Sequence, residues 1–179
     1  MEDNLIIRPF KNCDAEKIVS WLKDGETYFN WGGHLIGNYP LTAERMIDVY
    51  LYENGLCEEE DNFYPMTCVD NGEVVGHFII RYLKGNPKLL RFGWVVVDNE
   101  KRGKHYGRRM LTEGLKYAFD TLKAEKVTLG VYEHNIRAYK CYLAAGFRSS
   151  SEFKDRIENI DGEEIKVVEL EITKEGGRP

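Results

Sequence analysis

The chain has 179 residues, enough for one domain with a well-formed hydrophobic core. Its 30 acidic and 25 basic residues give a formal net charge of −5, which argues against nucleic acid as the main partner. The four cysteines show neither a CxxC pair nor a His/Cys metal spacing, so no metal site is predicted. No apolar run is long enough to cross a membrane and no signal-peptide pattern is visible. We therefore expect a cytoplasmic protein with reduced thiols and no membrane partner.

The N-terminal third predicts one strand and two helices. A short strand over 5–9 ends at a proline. Apolar residues at helical spacing over 18–22 predict a first helix that stops at Asp24-Gly25. Thr42 can cap a second helix, which we expect to end near Asn54-Gly55.

Two stretches of this region have two interpretations each. Residues 28–40 show no clear period and are rich in glycine and aromatic side chains. An aromatic residue there, Trp31 above all, either lines a substrate pocket or packs the helices on a sheet. The acidic run 57–61 is either a solvated connector or a docking site for basic substrates.

The middle of the chain predicts a β-hairpin and then a strand, a loop and a helix. The hairpin strands cover 63–69 and 74–83, with Asn71-Gly72 as the two-residue turn. An apolar run over 94–97 predicts a strand that is buried on both faces. Helical spacing of apolar residues begins at about Tyr106.

The loop between this strand and this helix has the character of an anion site. Its basic residues and glycines are Lys101, Arg102, Gly103, Lys104 and Gly107. A helix N-terminus offers N–H groups without intrahelical partners and a partial positive charge, so the loop suits a phosphate or pyrophosphate. A glycine-bearing turn also forms where a chain merely bends. The glycine spacing matches neither the P-loop nor the dinucleotide fingerprint.

The C-terminal third predicts a strand, a helix and a second hairpin. The strand covers 127–132, and Asn135 caps a helix that runs to about Ala144 and ends at Gly146. The hairpin strands cover roughly 150–157 and 165–172, with a turn at Asp161-Gly162. We expect a single domain over 1–174 and a disordered tail over 175–179.

This element order predicts an α/β (α+β) fold. Hairpins beside strand–helix–strand units indicate a mixed, mostly antiparallel central sheet of about seven strands, flanked by about four helices. A homodimer through the C-terminal hairpin and a monomer are both compatible with the sequence.

Two motifs together give the chain a family resemblance. Arg102-Gly103-Lys104-His105-Tyr106-Gly107 is followed by a strand and then by a spaced pattern, Asn135, Ala138, Tyr142 and Gly146-Phe147. This combination resembles the acetyl-coenzyme A signature of the GNAT superfamily of N-acetyltransferases. The element order matches over essentially the whole chain, so the resemblance implies the GNAT-like acyl-CoA N-acyltransferase fold and acetyl-CoA as cosubstrate.

The resemblance assigns a role to each matching position. The loop would hold the coenzyme A pyrophosphate, and main-chain groups of the preceding strand would bond the pantetheine arm. The implied cofactor-binding residues are Val95, Val96, Val97, Arg102, Gly103, Lys104, His105, Tyr106, Gly107, Arg108 and Asn135. Tyr142 is implied as the catalytic general acid that protonates the departing thiolate. The alternatives are that Tyr142 and the valines only pack in the core and that Asn135 only caps its helix.

Two positions depart from the family pattern. His105 stands where the family commonly has glycine, and histidine adopts left-handed backbone angles more readily than most residues. Gly130 stands where relatives that acetylate ribosomal-protein N-termini commonly place a catalytic glutamate. The general base is therefore open among Glu133, His77, Tyr132 and water.

The sequence thus predicts an acetyltransferase, with acetyl-CoA and an amine acceptor as its partners. A primary amine, on a small molecule or on a protein or peptide, would attack the thioester directly in a ternary complex. A non-catalytic acyl-CoA sensor or partner subunit is the alternative, and transfer of a longer acyl group is a variant of the enzyme.

Overall fold

A computed structural model describes residues 4–176 of the chain. The predicted tail lies partly in this range, where 174–176 form a turn, and residues 177–179 lie outside the described residues. Within the described range, no helix has the length and apolar character needed to cross a bilayer. All four cysteines are free thiols.

Over residues 4–176 the fold has eight strands and five α-helices, which confirms the predicted mixed class with one strand and one helix more than expected. The strands are β1 (Leu5–Pro9), β2 (Tyr64–Asp70), β3 (Glu73–Leu83), β4 (Asn86–Val97), β5 (Lys126–Tyr132), β6 (Arg148–Ser149), β7 (Arg156–Ile160) and β8 (Glu163–Thr173). The helices are α1 (Ala15–Val19), α2 (Gly25–Trp31), α3 (Ala43–Leu51), α4 (Tyr106–Lys116) and α5 (Ile136–Ala144).

The strands follow the order β1-β2-β3-β4-β5-β8-β6, and β7 pairs with β8. The β1–β2, β2–β3, β5–β8, β6–β8 and β7–β8 pairs are antiparallel, and β4–β5 is parallel. The mostly antiparallel sheet is therefore confirmed.

By their internal contacts the residues form two compact units. Unit 1 holds the chain up to Arg81 together with Trp94–Met110, and unit 2 holds Tyr82–Gly93 together with the chain from Leu111 on. The single domain over 1–174 stays a prediction. Each unit has its own buried apolar residues: Ile18, Trp21, Met46 and Val49 in unit 1, and Leu90, Val127, Phe147 and Leu170 in unit 2.

The N-terminal helices differ from the prediction because Asp24 begins a helix and does not end one. Its carboxylate accepts the N–H of Thr27 at 2.7 Å, as an N-cap does, and α2 follows at once. Gly32, at φ +91°, then ends α2 in the left-handed conformation. The segment predicted as an irregular loop over 28–40 therefore includes most of a helix.

The two predicted hairpin turns are confirmed. Asn71 and Gly72 have φ of +50° and +84°, and Asp161 and Gly162 have +53° and +86°, as type I′ turns require. The first strand of the second hairpin is shorter than predicted because Ser150 turns the backbone. Its hydroxyl accepts the N–H of Phe153 at 2.9 Å, so the strand predicted over 150–157 begins only at Arg156.

Candidate active site

The valine run at the end of β4 is less buried than the sequence predicts. Val96 is buried, whereas Val95 and Val97 are only half-buried, so the prediction of burial on both faces is wrong. The cause is the pleat, which sends successive side chains to opposite faces. Val96 packs in the unit 1 core, where its carbonyl lies 3.3 Å from the place a Cβ would take at Gly76.

Trp94, just before the valines, has a backbone conformation that is rare for an aromatic residue. Its φ is +46°, and such a conformation costs on the order of 1–3 kcal/mol. Two neighbours hold it: the Trp31 indole N–H donates to the Trp94 carbonyl at 2.7 Å, and the Tyr50 ring stacks parallel to its ring at 5.8 Å. Of the two interpretations of Trp31, the structure supports packing.

The loop after β4, here called the basic loop and defined as Asp98–His105, has two left-handed residues. Gly103 has φ +75° and the exposed His105 has φ +63°. The left-handed backbone expected at His105 is confirmed. Histidine thus occupies the conformation that glycine adopts most readily, at a modest cost.

The start of α4 supplies the N–H groups that the sequence predicts. A backbone bond from the Arg109 N–H to the His105 carbonyl, at 3.0 Å, lies at the start of the helix. Tyr106 and Gly107 are the first two residues of α4, so their N–H groups have no carbonyl four residues back within the helix. Such N–H groups at a helix start, close to basic side chains, suit an anion.

The basic side chains of the loop differ in their contacts. Lys101 forms an ion pair with Glu73 at 2.8 Å, so it is already neutralised within the protein. Hydrogen bonds from Thr27 are the main cause that lowers the pKa of Asp24, and the charge of Arg102, which also contacts other groups, adds to them. Lys104 is exposed, and so is Arg108 in the first turn of α4, which has contacts of its own.

In unit 2, the two residues implied on the last helix have the positions predicted for them. The Asn135 side chain accepts the N–H of Ala138 at 3.2 Å, which confirms it as the N-cap of α5. Tyr142, two turns on, is buried and packs edge-on against Phe147 with ring centroids 6.4 Å apart. Burial raises the pKa of the Tyr142 phenol, which therefore stays protonated and able to donate at neutral pH.

The candidates for the general base can be compared by their protonation. His77 is fully buried next to Tyr50, whose hydroxyl lies 2.8 Å from Nε2, and burial lowers the pKa of His77 to about 3. Burial raises the pKa of Tyr132 to about 12, so this phenol holds its own proton at neutral pH. Glu133 is exposed and pairs with Lys166 at 3.0 Å. Neither His77 nor Tyr132 is tuned to accept a proton near pH 7.

The structure also explains the glycine at position 130, which the sequence left unexplained. A Cβ at Gly130 would lie 2.6 Å from Nη2 of Arg91 and 2.9 Å from Cγ1 of Val167. Arg91 forms a two-pronged ion pair with the buried Glu169 at 2.8 and 3.0 Å, and Arg156 also contacts Glu169. The guanidinium of Arg91 thus occupies the space that a side chain at 130 would need.

Comparison with known proteins establishes the family. Residues 4–148 match the family model described as an acetyltransferase (GNAT) domain, so the chain belongs to the GNAT acetyltransferase family. The spermine/spermidine N(1)-acetyltransferase of Bacillus subtilis (strain 168) is 29% identical over 86 residues, which are 48% of this chain. The matched segment spans about half, 51%, of that relative.

Solved structures show the same fold over nearly the whole chain. The spermidine N-acetyltransferase from Vibrio cholerae, in complex with CoA and spermine, has a TM-score of 0.74 at 17% identity, covering 97% of each chain. The aminoglycoside acetyltransferase AAC(6')-Ib, in complex with ribostamycin and coenzyme A, has a TM-score of 0.75 at 18% identity, covering 97% of this chain and 96% of that one.

Proposed function

We propose that this chain transfers the acetyl group of acetyl-CoA to a primary amine of a cationic small molecule. The observation that carries the proposal is the start of α4 within a chain of the GNAT family. There a left-handed glycine and histidine lead into the first two N–H groups of the helix, those of Tyr106 and Gly107. A pyrophosphate is the anion that this arrangement suits in an acyl-CoA-dependent protein.

Each implied residue has a role in the proposed reaction. Backbone N–H groups of the basic loop and of 106–108, with Arg102, Lys104 and Arg108, bind the pyrophosphate. Main-chain groups of Val95 and Val97 bond the pantetheine amides, and a backbone N–H there stabilises the oxyanion. Asn135 bonds the pantetheine arm while it caps α5.

The chemical step is direct attack without an acyl-enzyme intermediate. The amine nitrogen forms a bond to the thioester carbonyl carbon, and the carbon–sulfur bond then breaks. Burial raises the pKa of Tyr142, so the phenol is protonated when the carbon–sulfur bond breaks, and it then gives its proton to the departing thiolate. The incoming ammonium first loses one proton to water or to Glu133. The second proton leaves the nitrogen as the amide forms and restores the Tyr142 phenol through water.

The acceptor class rests on charge and on the relatives. The relatives named above act on polyamines or aminoglycosides, and both classes are polycations with primary amines. In unit 1 the acidic run 57–61 is mostly exposed, and the chain has a net charge of −5. An acidic surface raises the local concentration of a cationic acceptor.

The test of the catalytic role is Tyr142→Phe, with Tyr139→Phe on the same helix as the matched control. We expect turnover with acetyl-CoA and a polyamine to fall by ~10²–10⁴-fold in Tyr142→Phe, because the thiolate then leaves unprotonated. Acetyl-CoA affinity should barely change. Equal turnover in both variants would remove Tyr142 from the mechanism.

The test of the phosphate site is reversal of charge at Arg102 and Arg108. We expect the double variant with glutamate at both positions to bind coenzyme A at least ~10-fold more weakly, because two attractive charges become repulsive. The control for net charge is a double variant on α5, Arg137→Glu with Lys140→Glu, which changes the charge by the same amount at two exposed positions. Unchanged affinity, measured by titration calorimetry, would overturn the phosphate-site assignment.

A further inference from the structure

The hairpin between β2 and β3 makes two side-chain contacts with the segment that begins α4. The Tyr106 hydroxyl donates to Oδ2 of Asp70 at 2.5 Å, and Nζ of Lys101 lies 2.8 Å from Oε2 of Glu73. Asp70 and Glu73 pair with each other across the Asn71-Gly72 turn. Two carboxylates on one tight turn thus bind the middle of the basic loop and the first residue of α4.

Further contacts within unit 1 hold the beginning of the basic loop. The Asp98 N–H donates to the carbonyl of Val75, the third residue of β3, at 3.0 Å. Lys17 pairs with the Asp98 carboxylate at 3.4 Å. The Asn99 amide donates to the Trp21 carbonyl at 2.8 Å. The basic loop is therefore fixed at its start, at Lys101 and at Tyr106, while Gly103 and Lys104 lie exposed between these points.

The Tyr106 ring links the two carboxylate contacts. The Arg109 guanidinium lies 4.9 Å from the ring centroid and Nζ of Lys101 lies 5.9 Å from it. Cations over an aromatic face are attracted by its quadrupole, so the ring gathers two positive charges beside the helix start. The hydrogen bond to Asp70 raises the pKa of Tyr106, which keeps its hydroxyl protonated as the donor.

We propose that Asp70 and Glu73 are positioning residues for the pyrophosphate site, a role that rests on the proposed function. They hold the basic loop in its binding conformation through Tyr106 and Lys101, so the loop is ordered before the cosubstrate arrives. A site that is already ordered binds more tightly because less conformational entropy is lost on binding.

The sign of the effect separates positioning from simple electrostatics. Both carboxylates are negative, so their charges repel a bound pyrophosphate, and neutralising either one should strengthen coenzyme A binding if charge alone acts. If the carboxylates position the loop, neutralising either one should instead weaken coenzyme A binding. A charge-assisted hydrogen bond of this kind is strong enough that its loss should weaken binding roughly tenfold.

The experiment measures the affinity of coenzyme A for the wild type, Asp70→Asn, Tyr106→Phe and the double variant. The exposed Glu44→Gln on α3, which removes the same charge, is the matched control and should bind like the wild type. We expect each single variant to bind coenzyme A roughly 5–10-fold more weakly. The double variant should bind little worse than either single variant, because both substitutions remove the same hydrogen bond. In turnover, Asp70→Asn should raise KM for acetyl-CoA more than it lowers kcat.

A second measurement does not depend on coenzyme A. Hydrogen exchange of the amides of 98–108 in the ligand-free protein should quicken in Asp70→Asn and not in Glu44→Gln. If Asp70→Asn leaves both exchange and affinity unchanged, or strengthens binding, the positioning role is wrong. If the wild type itself does not bind coenzyme A, the proposed function fails, whatever the exchange data show.

Discussion

The two departures from the family pattern, His105 and Gly130, differ in what maintains them. His105 is exposed, and the structure accommodates it by a change of backbone alone, at φ +63°. Gly130 lies on β5 against a buried ion pair, and the space of its missing side chain is occupied by Arg91 and Val167. Replacing His105 by the residue common in the family should therefore change stability and binding little. The same replacement at Gly130 should destabilise the fold, because buried neighbours occupy the space of the new side chain.

Among the variants that test this comparison, Gly130→Glu should show the largest effect, a loss of stability. The new side chain would displace the Arg91 guanidinium and place a second carboxylate beside Glu169, which is buried. We expect the free energy of unfolding to fall by about 3 kcal/mol or more, since overpacking and a broken buried pair both contribute. Urea denaturation measures the change.

Gly25→Glu is the matched control, because a Cβ at Gly25 meets nothing within 4 Å. It should unfold like the wild type. A Gly130→Glu protein of wild-type stability and increased turnover would mean that position 130 can still host a catalytic base, contrary to the packing argument.

A second effect concerns His77, the buried candidate for the base that Gly130 cannot supply. Burial lowers its pKa to about 3 in the folded protein, against 6.5 for an unperturbed histidine. Between these values the unfolded chain binds a proton that the folded chain does not, so stability falls as the pH drops below about 6.5. This group alone should cost about 2 kcal/mol of stability between pH 7 and pH 5.

Urea denaturation at pH 7 and pH 5 checks this by comparing the wild type with His77→Gln. The loss of stability on acidification should be smaller in His77→Gln by about 2 kcal/mol. An identical pH dependence in both proteins would show that His77 titrates normally. It would then again be a candidate for the base.

The smallest effect is expected at His105. Replacing it by glycine removes the cost of a left-handed histidine, so His105→Gly should unfold within about 1 kcal/mol of the wild type. Coenzyme A affinity should stay within a factor of a few, because backbone N–H groups and not the imidazole bind phosphate. A large loss of affinity in His105→Gly would assign the ring a direct role.

The sequence predicted the elements and the turns well where the signal was local. The Asn71-Gly72 and Asp161-Gly162 turns and the caps at Thr42 and Asn135 depend on residues within three or four positions. The prediction failed at Asp24 because an Asp-Gly pair can end one helix or begin the next. Only the hydrogen bond from the Thr27 N–H to Asp24 distinguishes the two cases.

The candidate site was predictable only in its motif residues. Motif spacing points to 102–107, Asn135 and Tyr142. No local pattern shows that Arg91 pairs with Glu169, 78 positions away, or that Tyr106 bonds Asp70, 36 positions away. The register of β4, β5 and β8 sets the first contact, and the path of the chain from β4 to α4 sets the second. The reason for Gly130 and the role of the β2–β3 turn therefore emerge only from the folded chain.

The most direct test of the whole account is acetyl transfer itself. The purified protein is incubated with acetyl-CoA and, in separate reactions, with spermidine, spermine, an aminoglycoside and a basic peptide. Release of the coenzyme A thiol and the mass of the acceptor are followed. We expect saturable turnover with a polycationic small amine, which gains one acetyl group. Tight binding of acetyl-CoA with no acetylation of any acceptor would contradict the proposed function and favour a non-catalytic acyl-CoA sensor.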